Sequence, residues 1–236
     1  MKPQPLALKI LTVVSFLLLA VATWMVFFYA QLAKSGPAQR IFYFHVANAW
    51  VGMLGFLAAA VASIAYLRTH ELKWDIVGVA AIEISLVFFF TVIVSGSIWA
   101  KAEWNTWWKW EDNRLVTAAI MEMIYFAYLL LRQGIEDPDR CARFGAVYAL
   151  VGSLSVPITF MSIRWANALL HPLVISTVSD AVKTPFLETS EMKRTFFFGL
   201  FTFSVIFATL LWHRIRLGRL AEKVEQMKLK VMQKYL

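Results

Sequence analysis

The stretch Trp99-Ala100-Lys101-Ala102-Glu103-Trp104-Asn105-Thr106-Trp107-Trp108-Lys109-Trp110-Glu111-Asp112-Asn113-Arg114 holds five of the ten tryptophans in a 236-residue chain. An apolar run, Ile76 to Ile98, precedes it, and another, Leu115 to Leu131, follows it. The sequence therefore places these tryptophans in a connection between two candidate membrane helices. Indole has a large flat apolar face and one N–H donor, and it favours the membrane–water boundary. An aromatic belt at two helix ends is the plainer reading. Belts are scattered over helix ends, however, and five indoles in one connection imply a surface built to hold something flat and apolar.

The rest of the chain supports a membrane setting. It is 60% hydrophobic and 16% charged, against about 45–50% and about 25% in soluble domains. Six segments approach the roughly 20 apolar residues that a hydrocarbon core demands: Leu8–Leu32, Ile41–Leu67, Ile76–Ile98, Leu115–Leu131, Phe144–Ile163 and Phe196–Trp212. The first has Lys2 and Lys9 like a signal peptide, but its run is too long and no small-x-small site closes it, so it reads as a retained helix. Glu122 interrupts the fourth, and Pro157 is expected to kink or end the fifth. The fold expected is all-α: a polytopic membrane protein with the tryptophan-rich loop between helices 3 and 4 and an amphipathic helix at the C-terminus. Residues 1–212 read as the transmembrane domain and 213–236 as a basic tail. One cysteine, Cys141, excludes an internal disulfide and a multi-cysteine metal site.

The net charge of +8 concerns orientation rather than nucleic acid, for which no motif is present. Fourteen of the 23 Lys and Arg residues fall on the N-terminal side of the bilayer, among them Lys2, Lys9, Arg68, Lys73 and Arg132 and the basic tail. The positive-inside rule makes that side, with both termini, cytoplasmic. The tryptophan loop then faces outward, as does the long stretch Arg164 to Thr195. In the tail, Leu217, Leu220, Val224, Met227 and Val231 recur in alternating steps of three and four between basic residues. That pattern predicts an amphipathic helix suited to anionic lipid or to a docking partner.

Of four histidines, His70 and His213 sit at cytoplasmic helix ends beside basic residues and read as interfacial polar groups. His45 and His171 fall on the outer side at similar depth, flanking the aromatic stretch. A flat apolar ligand with a metal at its centre would need axial ligands, aromatic contact, and cations for its carboxylates. Haem is such a ligand. The axial candidates are His45 and His171, and the shelf is Trp99, Trp104, Trp107, Trp108 and Trp110. Arg40, Arg114 and Arg164 are the nearby outer cations, and arginine pairs with carboxylates bidentately. A structural zinc site would want four ligands, often thiolates, which the chain lacks. Glu83 and Glu122 lie inside spans, where an acid is costly and often functional; structural hydrogen bonding and a proton or partner role are both open for them.

Arg40-Ile-Phe-Tyr-Phe-His45-Val-Ala-Asn-Ala-Trp50, the tryptophan-rich loop ending at Arg114, and a late outer histidine before the last span together resemble the CcmC family of cytochrome c maturation. The resemblance covers nearly the whole chain. It implies a bacterial inner-membrane protein that binds a b-type haem non-covalently, with His45 and His171 as axial ligands, and is not itself an enzyme. It further implies that the loop presents the haem to the periplasmic chaperone CcmE, beside the ABC-type pair CcmA and CcmB and the small membrane subunit CcmD. The chain departs from the family pattern in places. Either Glu111 or Asp112 fills the loop's acidic position, Asn105 stands where glycine is common, and the motif around His171 lacks a second adjacent tryptophan. Two other classes compete: a membrane haem redox enzyme or electron carrier, with His70 and His213 as a second pair, and a transporter permease without cofactor.

Overall fold

The computed structural model describes residues 3–32, 36–165 and 187–235. Seven α-helices form among them: α1 (Leu6–Trp24), α2 (Gln39–Thr69), α3 (Leu72–Trp104), α4 (Asn113–Gln133), α5 (Pro138–Gly152), α6 (Ser155–Trp165) and α7 (Ser190–Tyr235). A wider turn, Met25–Tyr29, prolongs α1. Six spans are long and apolar enough to cross a membrane, with α5 and α6 sharing one. Successive spans run in opposite directions. One end of the bundle therefore carries the tryptophans, and the other carries the far part of α7.

Local chemistry sets the helix ends. Asp112 caps α4, its carboxylate accepting from the Arg114 and Leu115 amides at 2.9 and 3.2 Å. Asp137 caps α5 by accepting from the Arg140 amide at 2.7 Å, and Pro138 follows in the first helical position. His70 ends α2 and Asn105 ends α3, both left-handed with φ 56°.

Two boundaries differ from the sequence expectation. Hydropathy ends the third span near Ile98, but the backbone stays helical through Trp104. Ala100, Lys101, Ala102 and Glu103 are strong helix formers, and the helix continues past the apolar run. Trp99 and Trp104 are thus helical residues, and Trp107, Trp108 and Trp110 occupy the connection. The fifth span breaks at Ser153–Leu154, before Pro157. Pro157 falls in the first turn of α6, where its missing N–H costs no helical hydrogen bond.

The core lies where α2, α3 and α4 meet. Phe56, Phe89, Met121 and Tyr125 are buried there, with the Phe56 and Tyr125 rings stacked at 3.7 Å. Gly55 lets α2 approach closely: a Cβ there would lie 1.9 Å from Ser85 Oγ and 2.6 Å from the Phe207 ring. On the other side α1 packs on α7. Ser15 and Thr209 share a buried hydrogen bond of 3.0 Å. Thr12 donates to the Leu8 carbonyl at 2.8 Å and accepts from His213 Nε2 at 3.0 Å. His70 and His213 are therefore engaged in a helix end and a helix–helix contact.

Charges near the α7-tail end are paired. Arg132 grips Asp75 bidentately at 2.7 and 2.9 Å, with both side chains largely covered. Arg214 of α7 pairs with Glu83 of α3 at 2.8 Å, which gives Glu83 a structural partner. Glu122 is buried on α4, and its Oε2 has no hydrogen-bond partner among the described residues. Breaking a buried pair by removing one partner strands the other charge, at a cost of about 3 kcal/mol. Arg132→Met is therefore expected to lower the unfolding temperature in detergent markedly, and Asp75→Leu/Arg132→Met to recover most of the loss. Unchanged melting of the single variant would show that the pair is unimportant.

Candidate functional site

At the tryptophan end, α2 and α3 close around one histidine. His45 lies in the second turn of α2, and its Nδ1 sits 3.1 Å from Ser95 Oγ on α3. Ser95 has one hydroxyl proton, donated to the Thr91 carbonyl at 2.6 Å. With that proton so placed, the Ser95 oxygen is able to accept from a protonated Nδ1 of His45. The next residue, Gly96, makes room for the ring: a Cβ there would come within 3.0 Å of His45 Cε1. Ser95 and Gly96 thus seat one imidazole, with a hydroxyl against its Nδ1 and no side chain against its Cε1.

One turn beyond Ser95, Trp99 joins Phe42, Tyr43 and Phe196 in a cluster that walls the same end. Phe42 and Phe196 stack at 5.7 Å. Trp104 meets Trp99 edge to face at 5.1 Å, and Lys109 Nζ lies over the Trp104 ring at 5.7 Å. Trp108 and Trp110 make a second edge contact at 5.8 Å. Trp107 and Trp110 remain 59% and 74% exposed. The five indoles therefore divide into a packed pair on α3 and a more open group on the connection. Asn105, which ends α3, takes the left-handed conformation glycine adopts most easily, and asparagine tolerates it best among the other residues. Lys101 Nζ further holds its side-chain oxygen at 3.0 Å.

The two candidate cations are tied into the scaffold. Arg40 donates to the Phe27 carbonyl at 3.4 Å and lies over the Phe27 ring at 5.0 Å. Arg114 donates to the Thr159 carbonyl, linking α4 to α6. Between the two acids left open in the loop, Asp112 is buried as the α4 cap while Glu111 is exposed. The structure brings His45 and Trp99 to one end and sets Trp104 edge to face against Trp99. His171 and the Arg164 side chain lie outside the described residues. Sequence reasoning passed over Ser95 and Gly96; the available signal was the small, polar Ser95-Gly96-Ser97 run inside an apolar span. Among the described residues no three His, Cys, Asp or Glu side chains could together hold a metal ion.

A six-span all-α bundle with a seated histidine and an aromatic cluster at one end is the architecture of a polytopic membrane protein. The family model described as heme exporter protein C matches residues 4–230. The chain belongs to that family, CcmC, a non-enzymatic component of cytochrome c maturation. It is similar to the heme exporter protein C of Bradyrhizobium diazoefficiens, 28% identical over 200 residues, which are 85% of this chain and 72% of that protein. The corresponding Escherichia coli protein is 29% identical over 186 residues, 78% of this chain and 71% of that protein. The Rhodobacter capsulatus protein is 31% identical over 148 residues, covering 62% of this chain and 60% of its own length.

Proposed function

We propose that this chain holds one haem at its tryptophan end, with His45 and His171 on opposite faces of the iron, and presents it to the periplasmic chaperone CcmE. The observation that carries this reading is the seat of His45: its Nδ1 held 3.1 Å from Ser95 Oγ, its ring accommodated by Gly96. Haem here is cargo, and it supplies an iron able to accept the Nε2 lone pair. The indoles offer the porphyrin an apolar wall, and Arg40 and Arg114 are the cations assigned to its propionates. Occupation of both axial positions by imidazole would discourage oxygen chemistry, in keeping with a handover role. The tryptophan end is assigned to the periplasm and the α7 tail to the cytoplasm of a bacterial inner membrane. Residues 1–212 form the haem-handling unit, 213–236 the tail, and CcmA, CcmB and CcmD the assembly around it.

The direct test is the absorption spectrum of the purified chain, in which a Soret band is expected as isolated or after haem addition. Absence of both would end this reading. The Ser95 contact adds a finer test. Partners that orient a metal-bound histidine are worth about 10–100-fold in affinity. Ser95→Ala is therefore expected to weaken haem binding about tenfold, and Ser95→Thr, which keeps the hydroxyl, to restore it. Equal affinity in Ser95→Ala and the parent would show that the hydroxyl does not orient the ligand.

A further inference from the structure

α7 continues past the bundle as an uninterrupted helix to Tyr235, and its far part carries an apolar seam that the other described residues leave largely uncovered. Leu217, Leu220, Val224, Met227 and Val231 occupy the alternating three–four positions of a coiled-coil seam. Leu217, Met227 and Val231 are 57%, 58% and 55% exposed. The register of α7 explains why. Arg214 reaches Glu83 of α3, and a Cβ on Gly218 would come within 2.7 Å of Ile76. Those two residues fix the inward face of the helix. At about 100° per residue, Leu220, Met227 and Val231 point away from it, while Leu217 and Val224 lie along its side. The other described helices leave the seam largely uncovered, and an apolar stripe in water marks an interaction surface.

Charge selects the occupant. Arg216, Lys223 and Lys230 flank one side of the seam, and Ala221 and Lys228 the other. Glu225 pairs with Lys228 at 3.1 Å on the exposed surface, and Glu222 hydrogen-bonds Gln226 on the helix back; neither acid flanks the seam. A second copy of this chain would set lysine against lysine in either orientation, which disfavours self-pairing. A lipid surface fits poorly too. The tail is coaxial with a membrane span, with no break at which it could turn to lie in the headgroup plane. We propose that the tail is a docking helix for a partner protein that presents an amphipathic helix with apolar seam residues and acidic flanks. The seam from Leu217 to Val231 is about 22 Å long at 1.5 Å per residue, matching a short partner helix of two to three heptads.

The experiment uses the full chain in neutral-lipid nanodiscs and two designed three-heptad peptides. Both carry leucine in the seam; one has glutamate at every flanking position and the other lysine. The acidic peptide is expected to bind at least about tenfold more tightly, with the preference shrinking in high salt. Val224→Glu/Met227→Glu is expected to abolish binding. Lys223→Glu/Lys228→Glu, which leaves the seam intact, is expected to shift the preference to the basic peptide. No binding of the acidic peptide, equal binding of both peptides, or tail-to-tail cross-links through Met227→Cys between copies would each overturn the proposal. So would protection of the tail from protease by anionic vesicles alone.

Discussion

His45→Ala is expected to lose nearly all bound haem, with affinity for added haem falling by about a hundredfold or more. The figure follows from the energetics of ligand support: a residue that merely orients a metal-bound histidine is worth about 10–100-fold, and removing the ligand forfeits that and the metal bond itself. The measurement is Soret absorbance per protein after purification, followed by titration with haem. Imidazole supplied in the buffer should enter the space left above Gly96 and restore part of the band, which separates ligation from fold damage. Retention of haem at the parental level in the alanine variant would mean that the iron is held elsewhere, and the assignment of His45 would be wrong. A failure of imidazole rescue with an intact fold would point to a packing role for the ring.

Changing Trp107, Trp108 and Trp110 together to alanine is expected to separate retention from handover. Aromatic contacts contribute about 0.5–1.5 kcal/mol each beyond the area they bury, so haem binding should weaken by no more than a modest factor while the axial bond persists. Loading of the chaperone should fall by more than about tenfold. The exposure of Trp107 and Trp110 motivates the split, because indoles packed into the scaffold would be covered. Haem retained and chaperone loaded are to be measured separately on the same preparations. If haem is lost while the remainder loads in proportion, the three tryptophans serve retention. If neither changes, they are interfacial anchors.

The architecture was readable because long apolar runs in lipid have few alternatives to helix. His45, the tryptophans and Arg40 stood out because such residues are costly or unusual where they occur. The seat of His45 was harder to see. Ser95 and Gly96 lie in an apolar run where small residues ordinarily mean close helix packing, and only the approach of α2 places them against the imidazole. The end of α3 was misplaced because hydropathy reports where lipid contact stops, whereas helix propensity in Ala100 to Glu103 carries the backbone on to Asn105. The partner of Glu83 was equally hidden, since Arg214 lies 131 residues away and meets it only through the packing of α7 on α3.

The continuity of α7 has a mechanical consequence. At 1.5 Å per residue its 46 residues make a rod about 70 Å long, with Phe196 near one end and the basic tail at the other. A rod without a joint transmits rotation as well as position. Phe196 stacks on Phe42, and Phe42 lies one turn of α2 before His45. A torque applied at the tail would therefore arrive as a tilt of the wall beside the imidazole, without a switch residue or a moving loop to relay it.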